Sequence, residues 1–344
     1  MEAVKIKKYL YFIGVDVSKN ELDFAVRKGR HLAFHQEIKN ETAEITSFIR
    51  ELKTLPNFSI GKSVFCMEQT GIYCNHLITC LKRVKANVVC VGSEHIRQSI
   101  GKVRGKNDKV DAIRIAEYAY TQREELRLIL PKRPIIGQLA MLNTLRNRLL
   151  NLQIAIQNPL KEQKGFVKKG MAKQGIKLCA RSTEAIRLDI AEVEGQIAAI
   201  TDSDARLKRL MEIITSVKSI GWVTALNILI TTNEFKNINN PKKFACYSGV
   251  APFKDESGKA ISKARISHFA NKKMKTLLHL CAATAKRTIP EIKAYFERKT
   301  VGEGKSKMSV LNAIRYKLIL RIFACVNQDR RYEENYIRKG SILT

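Results

Sequence analysis

Two rhythms of hydrophobic and polar positions run along this chain, and the change from one to the other divides it. Residues 10–17 form a nearly continuous apolar run, the pattern of a strand buried on both faces. After a turn near Asn20, the alternation of Leu22, Phe24 and Val26 predicts a second strand. Residues 31–38 predict a third. Over 41–53 the period lengthens, with Ile45, Phe48, Ile49 and Leu52 on one helical face. Short apolar runs return at 63–68 and 87–91, with a helix predicted over 73–83 between them. Helical signals then continue to about Thr121.

Beyond Pro131-Lys-Arg-Pro134 the helical period dominates. Leu142, Leu145, Leu149, Leu152 and Ile156 mark a helix over 136–158, and Ile186, Ile190, Val193, Ile197 and Ile200 another over 183–201. Both carry coiled-coil-type seams, which would pair as a hairpin or with another protomer. The stretch between them, 157–181, holds Lys161, Lys164, Lys168, Lys169, Lys173, Lys177 and Arg181 with Gly165, Gly170 and Gly175. It reads as a mobile basic tip. From 206 onward a helix, a turn ending Ile220-Gly221 and an apolar helix suggest a helix-hairpin-helix-like element, with further helices over 274–289 and 307–326. The expected domains are 1–130, 135–205 and 206–326, followed by a loosely held polar tail over 327–344.

The order β-β-β-α-β-α-β-α over the first 121 residues is the ribonuclease-H-like arrangement. Acids stand at informative places within it. Asp16 lies inside a strand that should be buried, where an uncompensated charge costs several kcal/mol. Glu68 ends the fourth strand. Asp108 and Asp111 sit three apart at a predicted helix start, a spacing that shares a face but that also suits the helix dipole alone. Four such acids could converge on two divalent cations, the geometry of phosphodiester chemistry. Magnesium fits all-oxygen ligands best, with manganese as an alternative. Asp23, near the first hairpin, reads as strand-face polarity.

Charge narrows the partner. The 344 residues carry 62 Lys and Arg against 32 Asp and Glu, a formal +30. That excess implies a polyanion, most often nucleic acid. Lys102, Arg104, Lys106 and Lys109 surround the paired aspartates, Lys168 and Lys169 lie in the basic tip, and Lys259, Lys263, Arg265, Lys272 and Lys273 form the densest cationic stretch. These are the expected phosphate contacts. Apolar runs fall short of the roughly 20 residues a membrane helix needs, and the N-terminus lacks a signal-peptide pattern. The eight scattered cysteines form no CxxC pair and read as reduced core thiols. The expectation is a cytoplasmic, nucleoid-associated prokaryotic protein.

These residues together resemble the DEDD-type transposases of the insertion sequence 110 family, which includes the Piv DNA invertases. Ile13-Gly-Val-Asp16-Val-Ser-Lys19 resembles the family's first acidic strand, Glu68-Gln-Thr-Gly-Ile-Tyr73 its E-x-T-G-x-Y segment, and Asp108-Lys-Val-Asp111-Ala112 its D-x-x-D-A helix. Phe244-Ala-Cys-Tyr-Ser-Gly-Val-Ala-Pro252 resembles its second block, and Glu256-Ser257-Gly258-Lys259 falls where the family carries a catalytic serine. By composition alone that Ser-Gly pair would read as a turn. The resemblance implies a RuvC-like N-terminal domain, an α-helical coiled-coil insertion and a mainly α-helical C-terminal transposase domain. It further implies cutting and rejoining of double-stranded donor and target DNA. Asp16, Glu68, Asp108 and Asp111 would hold Mg²⁺, Ser257 would be the nucleophile, and a structured bridge RNA would act as guide. The implied assembly is a homo-oligomer, from dimer to synaptic tetramer. The rival readings are a RuvC-like Holliday junction resolvase or nuclease, a DNA invertase without RNA, and a nucleic-acid-binding protein whose acids are structural.

Overall fold

A computed structural model describes residues 9–68, 71–100, 107–163, 165–253, 256–257, 260–261, 265–266 and 270–334. The chain divides into two compact units, Met1–Pro131 and Lys132–Thr344.

The first unit contains β1 (Tyr11–Val17), β2 (Glu21–Lys28), β3 (His31–Lys39), α1 (Thr42–Leu52), β4 (Ser63–Glu68), α2 (Asn75–Arg83), β5 (Asn87–Val91), α3 (Ser93–Ile100) and α4 (Asp108–Thr121). The sheet order is β3-β2-β1-β4-β5. β1 runs antiparallel to β2 and parallel to β4, and β4 runs parallel to β5. This is the ribonuclease-H-like topology that the pattern predicted.

The apolar run of β1 follows from its central place in the sheet. Tyr11, Ile13, Val15 and Val17 pack into a core with Ile45 and Phe48 of α1 and Leu77 and Leu81 of α2. The alternate positions face the other side, where Phe12 joins Val64, Cys66, Ile115 and Ala119. A strand covered on both faces cannot alternate apolar with polar.

Helix α4 lies very close on that second face. Gly14 leaves the space: a Cβ there would overlap the backbone of Ala112 and Ala116. Ala25, beside Gly14 on β2, packs against the same two alanines. Small residues on both elements therefore set how near the start of α4 comes to β1.

The second unit contains α5 (Pro134–Glu162), α6 (Lys169–Ser203), α7 (Ala205–Ser216), α8 (Trp222–Thr232), α9 (Pro241–Tyr247), α10 (Lys272–Thr288), α11 (Pro290–Glu297) and α12 (Lys307–Asn327). Among the described residues, four short strands lie between α9 and α10: β6 (Pro252–Phe253), β7 (Glu256–Ser257), β8 (Ala260–Ile261) and β9 (Arg265–Ile266). β6 pairs with β9, and β7 with β8. Leu139, Leu142, Val193 and Ile197 of the long helices share one core with Leu226 of α8, Phe244 of α9, Leu278 of α10 and Phe323 of α12.

α8 ends in three successive left-handed residues, Asn233, Glu234 and Phe235 (φ 51°, 56° and 63°). Such backbone persists only when its surroundings over-determine it. Here the buried Glu234 carboxylate accepts two bonds from Arg133, at 2.7 and 3.0 Å. Arg133 also grips Asp204, the N-cap of α7, at 2.7 and 3.1 Å.

Three expectations need correction. The stretch read as a mobile basic tip is mostly helix. α5 runs to Glu162 and α6 starts at Lys169, so Gly170, Lys173, Gly175, Lys177 and Arg181 are helical. Gly175 faces α5, and a Cβ there would stand 3.3 Å from Leu160 Cδ2, so the glycine serves close approach rather than a loop. The α5 seam is also not covered along its length. Leu142 is buried, whereas Leu145 and Leu152 are 42% and 54% exposed. Lastly, the described start of the tail is tied to α7 and to the turn that follows it. Arg331 pairs with Glu212 at 2.8 Å, Glu334 with Lys218 at 2.6 Å, and the Tyr332 amide donates to Ser216 Oγ at 2.7 Å.

Candidate active site

β1 and β4 deliver the first two acids. Their parallel register pairs Val15 with Met67, so Asp16 and Glu68, one residue further on, emerge side by side on the α4 face. The first turn of α4 delivers the other two. Asn107 caps that helix, its Oδ1 accepting from the Lys109 amide at 3.0 Å, and Asp108 and Asp111 follow. All four acids line one cleft of about 300 Å³, together with Ser18, Arg97 of α3 and Arg114 of α4.

The electrostatics of this cleft are unbalanced. Burial first, then Asp108 and Asp111, and to a smaller degree Glu68, push the Asp16 carboxyl up to about 6, against a 3.1 Å bond from the Val17 amide that favours its ionised form. Nearby like charges disfavour ionisation, and a cation would reverse the effect. The donors are all carboxylate oxygens, the ligand chemistry of a hard divalent ion. Among the described residues, no three His, Cys, Asp or Glu side chains are grouped closely enough to hold a metal as they stand. The four acids thus share a cleft without meeting at coordination distance.

Two cations in the cleft escaped the sequence reading. Arg114 Nη1 lies 3.8 Å from Asp111 Oδ1, one helical turn on. Its spacing from Asp111 was the available signal. Arg97 carried none. Asp23 is more than strand-face polarity: it is buried directly across from Asp16 and bonds His35 at 2.7 Å. It does not line the cleft.

Lys109 is exposed on α4, while Lys102, Arg104 and Lys106 lie outside the described residues. Lys168 and Lys169 are exposed at the start of α6, and Lys272 and Lys273 at the start of α10. Ser257 lies in β7, in the second unit, and Arg265 in β9; only their backbones are described. Lys259 and Lys263 fall outside the described residues.

Comparison with known proteins gives this geometry a context. Residues 13–163 match the model of the DEDD transposases of IS110, and residues 211–297 match the model described as Transposase IS116/IS110/IS902 family. The chain belongs to the IS110 transposase family. The four acids fall within the first matched segment and Ser257 within the second.

Relatives of this IS110-family enzyme include the pilin gene-inverting protein of Moraxella bovis, 23% identical over 335 residues, which span 94% of this chain and 98% of that protein. The Moraxella lacunata protein of the same name is 22% identical over 334 residues. A 43.6 kDa protein of insertion element IS110 in Streptomyces coelicolor is 25% identical over 154 residues, 45% of this chain and 37% of that one. Among solved structures, Thermus thermophilus RuvC in complex with a Holliday junction substrate aligns over 35% of this chain and 99% of its own, with a TM-score of 0.27 and 11% identity. The IS110-family protein is a DNA recombinase or transposase. Among the described residues, no helix is long and apolar enough to cross a membrane.

Proposed function

We propose that this transposase cuts and rejoins double-stranded DNA through a magnesium-dependent site formed by Asp16, Glu68, Asp108 and Asp111, with Ser257 as nucleophile. The observation that carries the reading is the shared cleft, in which Asp16 is held up to about 6 by burial and three neighbouring acids. Carboxylates brought together at that cost suit a cation binder better than a scaffold. A bound Mg²⁺, or Mn²⁺ in its place, would supply positive charge to the phosphate undergoing displacement. Arg97 and Arg114, which line the same cleft, suit a DNA phosphate approaching it. The Ser257 oxygen forms a bond to phosphorus while the bond from phosphorus to a deoxyribose oxygen breaks. The serine proton goes to solvent, and the released sugar oxygen takes one up. A free DNA hydroxyl then reverses the exchange, conserving bond energy.

The guide in this reading is a structured bridge RNA that pairs with donor and target DNA, leaving the protein to read backbone and shape. The +30 formal charge supports so large a burden of phosphate. The exposed Leu145 and Leu152 of the α5 seam support a homo-oligomer, from dimer to synaptic tetramer. The full-length match to two pilin gene-inverting proteins favours inversion as an alternative outcome of the same chemistry.

Trapping denatured reactions on a gel tests the chemistry. A covalent protein–DNA adduct should form with Mg²⁺ and vanish in both Ser257→Ala and Asp16→Asn. Cleavage that persists without an adduct in Ser257→Ala would instead identify a water-using nuclease.

A further inference from the structure

The second unit holds a cationic cleft of its own. It has a volume of about 690 Å³, and its floor is Arg315 of α12, only 4% exposed. A buried guanidinium normally faces a carboxylate. Arg315 has none among the described residues. Its bonds go to neutral atoms: Nη1 donates to Asn312 Oδ1 at 3.1 Å, and Nη2 to His279 Nδ1 at 2.6 Å. Its Nε is buried without a protein partner.

The cleft around Arg315 is built for an anion. His279 and Lys275, both from α10, line it, and no acid does among the described residues. A guanidinium can only donate, so His279 Nδ1 must accept, which leaves the ring proton on Nε2 as a further donor. Burial first, then the Arg315 charge, lowers the His279 pKa, consistent with that neutral tautomer. Ser306 and Ser309 bring in the first turn of α12, a 21-residue helix whose amide end favours negative charge. Ser306 caps it, its Oγ accepting from the Ser309 amide at 3.3 Å.

The lip of the cleft is formed by Pro252 and Ile266, which pair across β6 and β9. Those two residues close the base of the segment that carries Ser257 in β7. We propose that the Arg315 cleft is a phosphodiester-binding site that holds a backbone phosphate of the DNA strand presented to the Ser257 segment. Arg315 and Lys275 supply the charge, and His279 Nε2–H a directional donor. The inference rests on the second unit handling DNA. DNA is favoured over RNA because the cleft adjoins the proposed nucleophile's segment.

The test measures binding of the full-length protein to a short DNA duplex, and to RNA of the same sequence, across a salt series in chelator. Arg315→Met and Lys275→Met should each weaken duplex binding several-fold and lower the salt slope by about one phosphate's worth. His279→Gln should weaken binding with the slope unchanged, since it removes a neutral donor. Inorganic phosphate should shift the His279 ring resonance in the wild type and leave it unmoved in Lys275→Met. Unchanged duplex affinity in all three variants would overturn the proposal, and so would a loss confined to RNA. If Arg315 serves the fold alone, Arg315→Met melts earlier while Lys275→Met and His279→Gln bind normally, which equally refutes it. The measurement reads affinity without metal, so its outcome is separate from whether Ser257 forms an adduct.

Discussion

Replacing Asp16 with asparagine should stabilise the metal-free protein while destroying its activity. The ordinary value of 3.8 for this carboxyl is raised to about 6 in the fold, by burial first and then by Asp108 and Asp111. A folded value above the unfolded one means that the native state holds the proton more tightly. The stability this confers is complete below about pH 4 and is lost as pH rises through about 6. At neutral pH the ionised Asp16 therefore works against the fold. A shift of about 2 units corresponds to roughly 3 kcal/mol. Asp16 remains partly open to solvent, and screening reduces this to about 1–2 kcal/mol. In a unit of about 130 residues that is a rise in melting temperature of roughly 3–8 °C.

The assay is thermal unfolding in chelator, at pH 7.5 and again near pH 4, for the wild type and Asp16→Asn. The variant should melt higher at pH 7.5 and lose that advantage at the lower pH. Mg²⁺ should then raise the wild-type transition and leave the variant nearly unmoved, because binding to the native state stabilises by mass action. A variant that melts at or below the wild type at pH 7.5 would refute the argument that these acids repel one another in the native cleft.

Other outcomes follow from the packing. Gly14→Ala drives a methyl group into the backbone of α4 and should cost about 1–3 kcal/mol, with DNA cleavage falling further than stability; melting and a nicking assay at matched folded fraction separate the two. Glu234→Ala removes the buried anchor of the left-handed run and leaves Arg133 with Asp204 as its carboxylate partner, which should destabilise the second unit by about 2–3 kcal/mol. Calorimetry should show the first unit's transition unchanged. Lys168→Gln with Lys169→Gln should reduce the salt dependence of nucleic-acid binding by about two phosphates' worth without altering cleavage at saturation, as read by a filter-binding salt series.

The parts of this molecule legible in the sequence were those whose neighbours lie close along the chain or whose chemistry clashes with its setting. The described strands of the first unit were marked by apolar runs or alternation between turns, and Asp16 stood out as an acid within one of the runs. The intimacy of β1 and α4 was not legible, because Gly14, Ala112 and Ala116 mark no period and their fit exists only once the two elements meet. The first third of α6 was hidden by glycines and lysines that suit a loop equally well; its contact with Leu160 is tertiary. α9 and α11, of seven and eight residues, are too short to show a helical period. Arg315 was invisible for a different reason. An arginine in an amphipathic helix reads as solvent-facing, and only the packing of α10 on α12 reveals that it is buried.

The seat that Gly14 provides for α4 also fixes an order of events as the chain is made. β1 and β2 can pair as soon as they emerge, yet β1 must wait for β4 to become a central strand and for α4 to cover its second face. Contacts between segments so far apart in sequence form late, since the intervening chain must be confined first. A growing chain shorter than about a hundred residues holds Asp16 and Glu68 without the helix that brings Asp108 and Asp111 beside them. An interrupted or truncated product therefore has half of the carboxylate cleft and no means of completing it. Chain length alone thus sets when the four acids can share a cleft.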